Sequence, residues 1–548
     1  MVYTNEYSQS DSEIYILPNF YIYDVLELIL LFVLISGAFY HYIIWPHGYW
    51  RRKGVPQGKP PLLFGELLPY ILRRQSTADI VWNAYNQCPG TRYSGLYQFL
   101  TPTLILKDPQ LIKQIAVKDF DYFPDHRVYI PEEADPLWGK NLFALSGEKW
   151  REMRPILSPS FTSSKMKMMF YLISETAEHF VKCLLKKSSE KIEAISFFSR
   201  FANDVIASCA FGLKVDSISD ENNHFFRMGK AMTDFTGFWK NFALYGYLII
   251  PRLCKMLNIK VYTEKQRIYF HDLIHSTIKT RKEKGIVRYD LIHLLMEAKE
   301  GKKKLEKEDN HMNTGYATVQ EETTGTQTRN ITDDDIVAQA MIFFFAGLDQ
   351  MAICMSFMCF ELASNQSIQM RLRAEIEKTL YINEGKITYE ALLGMKYMDL
   401  VVSETLRKYP INVEVDRLCS RPYTIPPAGP LEKPLLIEKG TVLWIPIVAL
   451  HHDPKFFPEP KLFDPERFNE GNKSKIVPNS YLPFGIGPRN CIGSRFALLE
   501  IKLLMFHLLA NFGVVSIKET VQNFNLSKRT FNMRPEGEQL WLGLEPIK

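Results

Sequence analysis

The sequence lacks the motifs of several common chemistries. The eight cysteines are scattered along the chain, and no two of them have C-x-x-C spacing. This spacing favours neither a disulfide framework nor a structural zinc site, and it suits a reducing compartment. The sequence also has no G-x-x-x-x-G-K-[ST], H-E-x-x-H or G-x-S-x-G motif, so it gives no support for a phosphate-binding loop, a zinc protease or a serine hydrolase.

Basic residues are absent from the first 50 positions. Within this region Leu28–Trp45 carries no formal charge and is close to the shortest helix that can span a membrane. Three basic residues follow at once, at positions 51–53. By the positive-inside rule, residues 1–27 are then lumenal and the rest of the chain is cytosolic. We therefore predict a single signal anchor at 28–45, in the endoplasmic reticulum membrane.

Strong net charge is also lacking, since the 548 residues sum to only +5. This balance argues against a dedicated nucleic-acid-binding protein.

The proline-rich segment 46–68 indicates a stiff linker between the membrane and the domain. We predict one catalytic domain over residues 69–548, interrupted at 299–330 by a charged, polar and flexible surface loop.

Most of the domain has helical patterning. Residues 92–106 favour a small sheet, and 148–300 is mainly helical in pattern. Thr332, with Asp335 three residues on, indicates a capped helix start. The helix that follows is apolar nearly all round, which predicts burial in the core; a second membrane span is disfavoured by its central polar residues. The apolar run 242–251 is either a core segment or a segment that dips into the bilayer.

One cysteine has an unusual setting, in the stretch LPFGIGPRNCIGSRFALLEI at 482–501. Glycines flank Cys491 and allow the chain to turn tightly beside a large, flat ligand. The helix expected just after it would point its positive end at the sulfur and stabilise a thiolate. Arg489 is suited to bind an acidic group on the same ligand. This combination suggests haem with a cysteine axial ligand.

The pattern F-G-x-G-x-R-x-C-x-G, here Phe484 to Gly493, resembles the haem-binding loop of the cytochrome P-450 family. The resemblance extends over about 54–548 and is strongest to membrane-bound insect members that oxidise foreign and endogenous lipophiles. It implies a mainly α fold, with a helical domain and a small β-rich domain, after one transmembrane helix. It also implies haem b bound through Cys491 as the iron ligand, in a loop that includes Phe484, Gly485 and Gly493.

Two further motifs match that family. The segment SETLRKYP places Glu404 and Arg407 on one helix face, and FDPERF supplies Arg467. The resemblance implies a buried structural clamp of these three residues. The segment EKWREMRP has the W-x-x-x-R pattern whose members contact the haem propionates, and a further propionate position matches in VEVDRLC. The propionate contacts implied by resemblance are Trp150, Arg154, Arg417 and Arg489.

Adjacent histidines, His451 and His452, follow an apolar segment that we expect to be extended. On an extended segment they would point to opposite faces, so we predict structural hydrogen bonding rather than metal binding.

The central helix departs from the family pattern. Ala346, Gly347 and Asp349 match A/G-G-x-D/E, but Gln350 and Met351 replace the two hydroxyl residues that follow. In the family the threonine holds a water and steers protons during oxygen activation. Gln350 can hydrogen-bond, but its amide is longer and differently shaped. Either Asp349 and ordered water support a slower or leakier oxygenase, which we favour, or the substrates already carry oxygen as peroxides.

The resemblance implies a haem-thiolate monooxygenase that uses O2 and oxidises a small lipophilic substrate. Its electrons would come from an NADPH-dependent flavoprotein reductase, with cytochrome b5 as a second candidate donor, since the sequence has no flavin or nicotinamide motif of its own. The alternatives are a haem-dependent isomerase or dehydratase of peroxides and a catalytically silent haem or ligand binder. The candidates for lining the expected pocket are Phe343, Phe344, Phe345 and Ala346 of the central helix, together with residues 135–145. Because this helix is apolar all round, the sequence does not show which of the phenylalanines face inward.

Overall fold

The computed structural model describes residues 19–186, 191–288, 290–300, 315–319, 331–430 and 432–547. Most of the predicted lumenal segment and of the predicted loop at 299–330 therefore lies outside the described residues. The domain is mainly helical, with three small sheets, as the sequence predicts.

The helices follow the chain in four groups. The N-terminal group is α1 (Asn19–Phe39), α2 (Trp45–His47), α3 (Tyr49–Arg52), α4 (Leu68–Ile71), α5 (Thr77–Asn86) and α6 (Pro109–Lys113). The next is α7 (Pro136–Gly139), α8 (Gly147–Leu157), α9 (Ser163–Lys186), α10 (Ala194–Ile206) and α11 (His224–Thr233). There follow α12 (Phe238–Ile249), α13 (Pro251–Met256), α14 (Glu264–Lys284), α15 (Leu291–Lys299) and α16 (Asp333–Ser364). The last are α17 (Gln366–Ile382), α18 (Tyr389–Leu393), α19 (Lys396–Lys408), α20 (Ile447–His452) and α21 (Ser494–Asn511).

The strands are β1 (Tyr93–Gln98), β2 (Thr101–Leu106), β3 (Lys191–Glu193), β4 (Val415–Leu418), β5 (Tyr423–Ile425), β6 (Leu435–Ile437), β7 (Val442–Ile445), β8 (Phe512–Val515) and β9 (Trp541–Pro546). They form sheets in the orders β1-β2-β7-β4, β3-β9-β8 and β5-β6. The sheet predicted at 92–106 is the β1-β2 hairpin. Pro102 is tolerated in β2 because pairing of β2 with β7 begins only at Thr103.

Two helices among the described residues are long and apolar enough to cross a membrane. The segment Tyr23–His47 contains the predicted span 28–45; none of its apolar window is buried, and burial begins only at its end, at His47. The other is α16, most of whose apolar window is buried within the domain. A buried window identifies α16 as a core helix, as its sequence predicts, and leaves Tyr23–His47 as the candidate anchor.

The proline-rich segment after this helix packs on the sheet rather than standing free as a linker. Trp50 is fully buried, and its indole N–H donates to Leu96 O at 3.2 Å. Farther along, a Glu66 carboxylate oxygen accepts a hydrogen bond from Tyr97 N at 2.6 Å. The exposed helix therefore meets the folded domain almost directly, since Trp50 follows it by only a few residues.

The central helix α16 organises the larger core. Thr332 caps it with the predicted capping box, accepting from Asp335 N at 3.1 Å while Asp335 accepts from Thr332 N at 2.9 Å. It packs against α10 on one side. At this contact a β-carbon on Gly347 would lie 2.6 Å from Ile206 Cδ1, so the close packing depends on glycine. α16 thus crosses the domain as a fixed support for the residues in its middle.

The structure differs from the sequence expectation at two histidines. His451 and His452 end the short helix α20 rather than an extended segment, because Pro446 stands just before the start of that helix. Their predicted structural roles fit the contacts: His451 Nε2 accepts from Leu482 N at 2.8 Å, and His452 Nδ1 contacts Val448 O at 2.9 Å.

The apolar run 242–251 has two faces. On α12, Ala243 and Tyr247 are buried in the core, whereas Ile249 is 49% exposed. The neighbouring Trp239 is 76% exposed. Both sequence alternatives therefore have support, because one face is core and the other is an exposed apolar surface.

Candidate functional site

A cavity of about 920 Å³ lies within the helical domain. Its wall is mostly apolar, and its volume is near the upper end of the ~300–1,000 Å³ usual for ligand pockets. Apart from the clamp, the predicted site residues all line it: Trp150, Arg154, Ala346, Gly347, Asp349, Gln350, Arg417, Phe484, Gly485, Arg489, Cys491 and Gly493. Residues more than 300 positions apart in the chain thus converge on one space.

Cys491 opens into this cavity. Its backbone N–H donates to Phe484 O at 2.9 Å, which closes the loop, and α21 begins three residues later at Ser494. Cys491 is exposed, whereas Cys209, also in the cavity wall, is 2% exposed. Burial raises the pKa of another core thiol, Cys354, to about 12. Only Cys491, among the described cysteines, therefore has the exposure and the helix N-terminus expected of a ligating thiolate.

The loop's shape depends on glycine at two positions. Gly485 and Gly487 have φ values of +77° and +76°, in the left-handed region that disfavours side chains. A β-carbon on Gly487 would also lie 1.9 Å from Ala116 O. The backbone path that positions the Cys491 sulfur therefore requires glycine at positions 485 and 487.

Cationic side chains surround the Cys491 loop. Arg154 donates to Asn490 O at 3.0 Å and to Asn490 Oδ1 at 2.8 Å. Arg417 donates through its terminal nitrogens to the backbone oxygens of Asp416 and Ile486. Burial lowers the pKa of Arg417 to about 10. Its Nε is buried without a hydrogen-bond partner among the described residues.

This orphaned donor fits an acidic ligand in the cavity. A buried N–H without a partner is costly, and a carboxylate would satisfy it strongly. With the thiol of Cys491, the cavity therefore offers a soft iron ligand and cationic donors, which are the groups that haem requires.

Arg489 makes different contacts from those expected of a propionate ligand. It donates to Pro124 O at 2.7 Å and Leu145 O at 2.6 Å, and it pairs with Asp125 at 3.2 Å. Its guanidinium also lies 4.2 Å from the centre of the Trp150 ring. Burial lowers the pKa of Arg489 to about 9. Since most of its donors are taken by the protein, Arg489 mainly holds the Cys491 loop against the segment 124–145.

The predicted clamp is assembled outside the cavity. Arg407 binds Glu404 with two hydrogen bonds, Nε to Oε2 at 2.7 Å and Nη2 to Oε1 at 2.9 Å. Arg467 Nε lies 3.4 Å from Glu404 Oε1. Glu404 and Arg407 are fully buried, and Arg407 also donates to His451 O at 2.9 Å. The clamp thereby joins α19 to the segment 451–467, which precedes the Cys491 loop in the chain.

Asp349 belongs to a second ion cluster, at the cavity wall. Its Oδ1 accepts from Lys230 Nζ at 2.7 Å and lies 3.1 Å from Arg534 Nη2. Burial alone would raise the pKa of Asp349. The charges of Lys230 and Arg534 and the Lys230 hydrogen bond outweigh burial and hold that pKa below its usual range. Asp349 is therefore an ionised carboxylate that connects three separate elements.

Gln350 lines the cavity beside Asp349, and its amide has no hydrogen-bond partner among the described residues. Of the three phenylalanines expected in the pocket, Phe343 and Phe345 line it. Phe344, the third candidate, does not line it. It is fully buried against Phe225 and Phe270, with ring centres 5.4 and 5.6 Å away, because it points to the opposite side of α16.

Six charged cavity residues escaped the sequence reasoning: Arg227, Lys230, Asp234, Glu414, Arg534 and Glu538. Lys230 and Arg534 lie in unremarkable segments far along the chain from Asp349. Glu414 stands only three residues before Arg417, and a lone acid in the segment INVEV was the signal that could have been noticed.

A mainly helical domain that brings a cysteine loop, buried arginines and an acid-bearing central helix to one apolar cavity has the architecture of a haem-dependent oxidoreductase. The chain belongs to the cytochrome P450 family, whose model matches residues 56–542. It is an oxidoreductase of the monooxygenase type, and its family implies a haem cofactor.

Curated insect relatives match along nearly their whole length. Cytochrome P450 9e2 of Blattella germanica is 45% identical over 91% of this chain and 94% of its own. Probable cytochrome P450 9f2 of Drosophila melanogaster is 38% identical over 94% of this chain and 99% of its own. Cytochrome P450 6k1 of Blattella germanica is 36% identical over 92% and 94%. The family resemblance inferred from the motifs is therefore confirmed.

Proposed function

We propose that this protein inserts one oxygen atom from O2 into a small lipophilic substrate. It takes electrons that originate from NADPH and arrive through a separate flavoprotein reductase, with cytochrome b5 as a second candidate donor. The observation that carries this proposal is the exposed Cys491 thiol in a large, mostly apolar cavity. Haem, when bound, supplies the redox chemistry of oxygen activation.

Cys491 is the residue proposed to ligate iron. The N-terminus of α21, three residues on, favours its thiolate form. With haem bound, the Cys491 thiolate would donate electron density to the iron. The tight loop closed by Phe484 O holds the sulfur at one place in the cavity.

Arg154 and Arg417, with Trp150, are proposed to bind the two propionates. Arg417 brings a buried, unpartnered Nε, and Arg154 lines the same cavity. Charge-assisted hydrogen bonds of this kind are strong where water is excluded. Arg489 acts one step away, because it positions the loop and stacks on Trp150.

Asp349 is proposed to orient ordered waters that carry protons to the cavity. Its carboxylate is ionised and is held by Lys230 and Arg534, so it accepts hydrogen bonds from these waters and does not itself carry the proton. Gln350 follows directly, and its amide oxygen and nitrogen can hold a water in the cavity. Phe343, Phe345 and Trp138 form an apolar wall that excludes bulk water and suits lipophilic substrates.

The proposed location is the endoplasmic reticulum membrane, with the catalytic domain in the cytosol. The exposed apolar helix Tyr23–His47 supports an anchor, and the basic residues 51–53 after it support this orientation. The exposed apolar face of α12 is a second surface suited to lie against lipid.

The test is the carbon monoxide difference spectrum of the reduced protein in membranes, compared with Cys491→Ser. We expect a strongly red-shifted Soret band in the wild type and its loss in the variant. Cys209→Ser is the matched control, since Cys209 lines the same cavity but is buried. A wild-type protein that binds haem without this band would contradict thiolate ligation.

Turnover then separates the candidate reactions. With reductase and NADPH, a monooxygenase consumes O2 and forms a hydroxylated product from a lipophilic probe such as a fluorogenic alkyl ether. Conversion of an organic hydroperoxide without NADPH, and no NADPH-dependent product, would instead indicate the isomerase or dehydratase alternative.

A further inference from the structure

Glu414 is an acid in the wall of the cavity that the mechanism above does not use. It lies between α19 and β4, and it contributes to the cavity surface with its neighbours 411–415. No hydrogen bond or ion pair reaches its carboxylate from any described residue. An acid in such a place costs free energy unless a partner is supplied.

The other acids that line the cavity are all satisfied by the protein. Asp349 has Lys230 and Arg534. Asp234 accepts from Thr236 N at 2.8 Å and Thr236 Oγ1 at 2.6 Å. Glu538 forms an ion pair with Arg534, whose Nη1 lies 3.9 Å from Glu538 Oε2. Glu414 is thus the one lining acid, among the described residues, whose partner must come from the cavity itself.

One aromatic ring of the cavity wall, that of Tyr129, lies near this acid, and three further rings continue the wall from it. Tyr129 is close enough that the charge of Glu414 adds to burial and to Asp416 in raising the pKa of its phenol. Tyr129 in turn neighbours Tyr245, whose ring centre lies 6.4 Å from that of Tyr70. Phe531 completes the row, with its ring centre 6.1 Å from Tyr70. All four rings line the cavity. Electron-rich ring faces attract cations, and quaternary ammonium groups especially.

We propose that Glu414 and the aromatic wall of Tyr70, Tyr129, Tyr245 and Phe531 form a subsite for a cationic nitrogen. The substrates of this protein would then include lipophilic amines and quaternary ammonium compounds. The apolar remainder of the cavity would hold the hydrocarbon part of such a molecule, while Glu414 neutralises the charge. This inference rests on the proposed function only in taking the cavity as the substrate site.

The test compares two ligands of the same shape, benzyltrimethylammonium and its neutral carbon analogue neopentylbenzene. A quaternary nitrogen has no lone pair and cannot coordinate iron, so its binding reports the subsite alone. The dissociation constants are measured by equilibrium dialysis on the full-length holoprotein in nanodiscs, near pH 8.5. We expect Glu414→Gln to weaken binding of the cation about tenfold and to change binding of neopentylbenzene less than about twofold.

Glu538→Gln is the matched control, because Glu538 also lines the cavity but already has Arg534 as a partner. It should change the dissociation constant of the cation less than about twofold. Equal weakening of both ligands by Glu414→Gln would show a structural role and overturn the proposal. So would a wild-type protein that binds the cation no better than the neutral analogue at pH 8.5.

The wild type provides a second test that needs no variant. Burial, then the charge of Asp416, raises the pKa of Glu414 to about 8. Affinity for the permanently charged ligand should therefore rise as the pH increases from about 6.5 to 9, while affinity for neopentylbenzene stays flat. A flat profile for the cation would contradict the assignment.

The ionisable groups coupled to Glu414, which are Tyr129 and Asp416, do not titrate in this window, and neither do His126 and Arg127, which are coupled in turn to Asp416. Burial raises the pKa of Tyr129 well above its usual value and lowers that of His126. Burial also lowers the pKa of Arg127, but the guanidinium stays charged. For Asp416, burial is outweighed by His126 and by hydrogen bonds, so its pKa is below the usual range.

Failure of this inference is distinguishable from failure of the proposed function. The carbon monoxide spectrum reports Cys491 and haem, whereas dialysis of the paired ligands reports Glu414. A normal spectrum without discrimination between the ligands would overturn the subsite alone.

Discussion

Two buried ion clusters of this protein use arginine and acid in opposite ways. In the clamp, Glu404 and Arg407 are fully buried, and the remaining donors of Arg407 reach backbone oxygens such as His451 O. In the cavity cluster, Asp349 is shared by Lys230 and Arg534, and the Lys230 side chain is 36% exposed. The charged groups of Glu404 and Arg407 in the clamp are buried and bound by other protein groups. The cavity cluster instead contacts solvent through Lys230 and the cavity through Asp349.

The difference indicates what each cluster contributes. Burial raises the pKa of Glu404, against which Arg407 and Arg467 act, so the charge of this acid depends on a fixed geometry. Asp349 instead has its pKa held low by two cations from separate elements, α11 and the segment after β8. We infer that the clamp fixes the fold beneath the Cys491 loop, while the cavity cluster joins elements that can move and leaves a charged acid beside the site.

The sharpest way to test this comparison is to break the clamp. Arg407→Met leaves the buried Glu404 with Arg467 as its only cationic partner, beside the hydrogen bond from Asp464 N. It also removes donors from three backbone oxygens, Pro460 O, His451 O and Leu462 O. We expect the free energy of unfolding to fall by about 3–5 kcal/mol, as for other broken buried pairs. Urea unfolding followed by tryptophan fluorescence measures it.

Arg371→Met is the control, since Arg371 pairs with Glu466 at the surface and is 58% exposed. An exposed pair should contribute no more than about 1 kcal/mol. Equal losses in the two variants would contradict a special role for the clamp.

How far the sequence could predict these two clusters follows from distance along the chain. Glu404 and Arg407 are three residues apart on one helix, so the motif alone brings them together. Asp349 and Lys230 are 119 residues apart, and no local pattern records their meeting. The same limit applies to Glu414, whose missing partner is visible only once the whole cavity wall is assembled.

The sequence also could not show which side chains of α16 face the cavity, because several orientations of the helix fit the same apolar pattern. A helix apolar on all sides gives no facing signal, so Phe344 could not be separated from Phe343 and Phe345 by sequence. The mainly helical fold, the capping box at Thr332 and the β1-β2 hairpin were predictable, because each depends on neighbouring residues.

The cavity cluster should tolerate loss of one cation better than the clamp does. In Lys230→Met, Asp349 keeps Arg534 at 3.1 Å. We expect a loss of about 1–2 kcal/mol in the free energy of unfolding, discounted because Lys230 is partly exposed. Lys230→Met combined with Arg534→Met should cost more than the sum of the two single losses, because only then is Asp349 left without a cation. Strict additivity of the two would contradict a shared acid.

The pH dependence of that loss has a definite sign. Because the pKa of Asp349 is lowered in the folded protein, its stabilisation is present above the ordinary value of 3.8 and is lost as the pH falls through the lower, folded value. The difference between the wild type and Lys230→Met should therefore be constant from about pH 8 to pH 5. A difference that grows or shrinks across that range would point to another titrating group.

The smallest expected effect concerns the residue beside Asp349. Gln350→Thr restores a hydroxyl where Gln350 now places an amide without a partner among the described residues. A hydroxyl that holds water near Asp349 should add one hydrogen bond, worth about 1 kcal/mol, and so raise the rate of proton delivery about fivefold. We expect more product per NADPH consumed and less hydrogen peroxide released.

Met351→Thr is the control, since it adds a hydroxyl at the next position, which is only 4% exposed. If Gln350→Thr leaves this ratio unchanged while hydroperoxides are converted without NADPH, then Gln350 suits substrates that already carry oxygen, and Asp349 loses its proposed task.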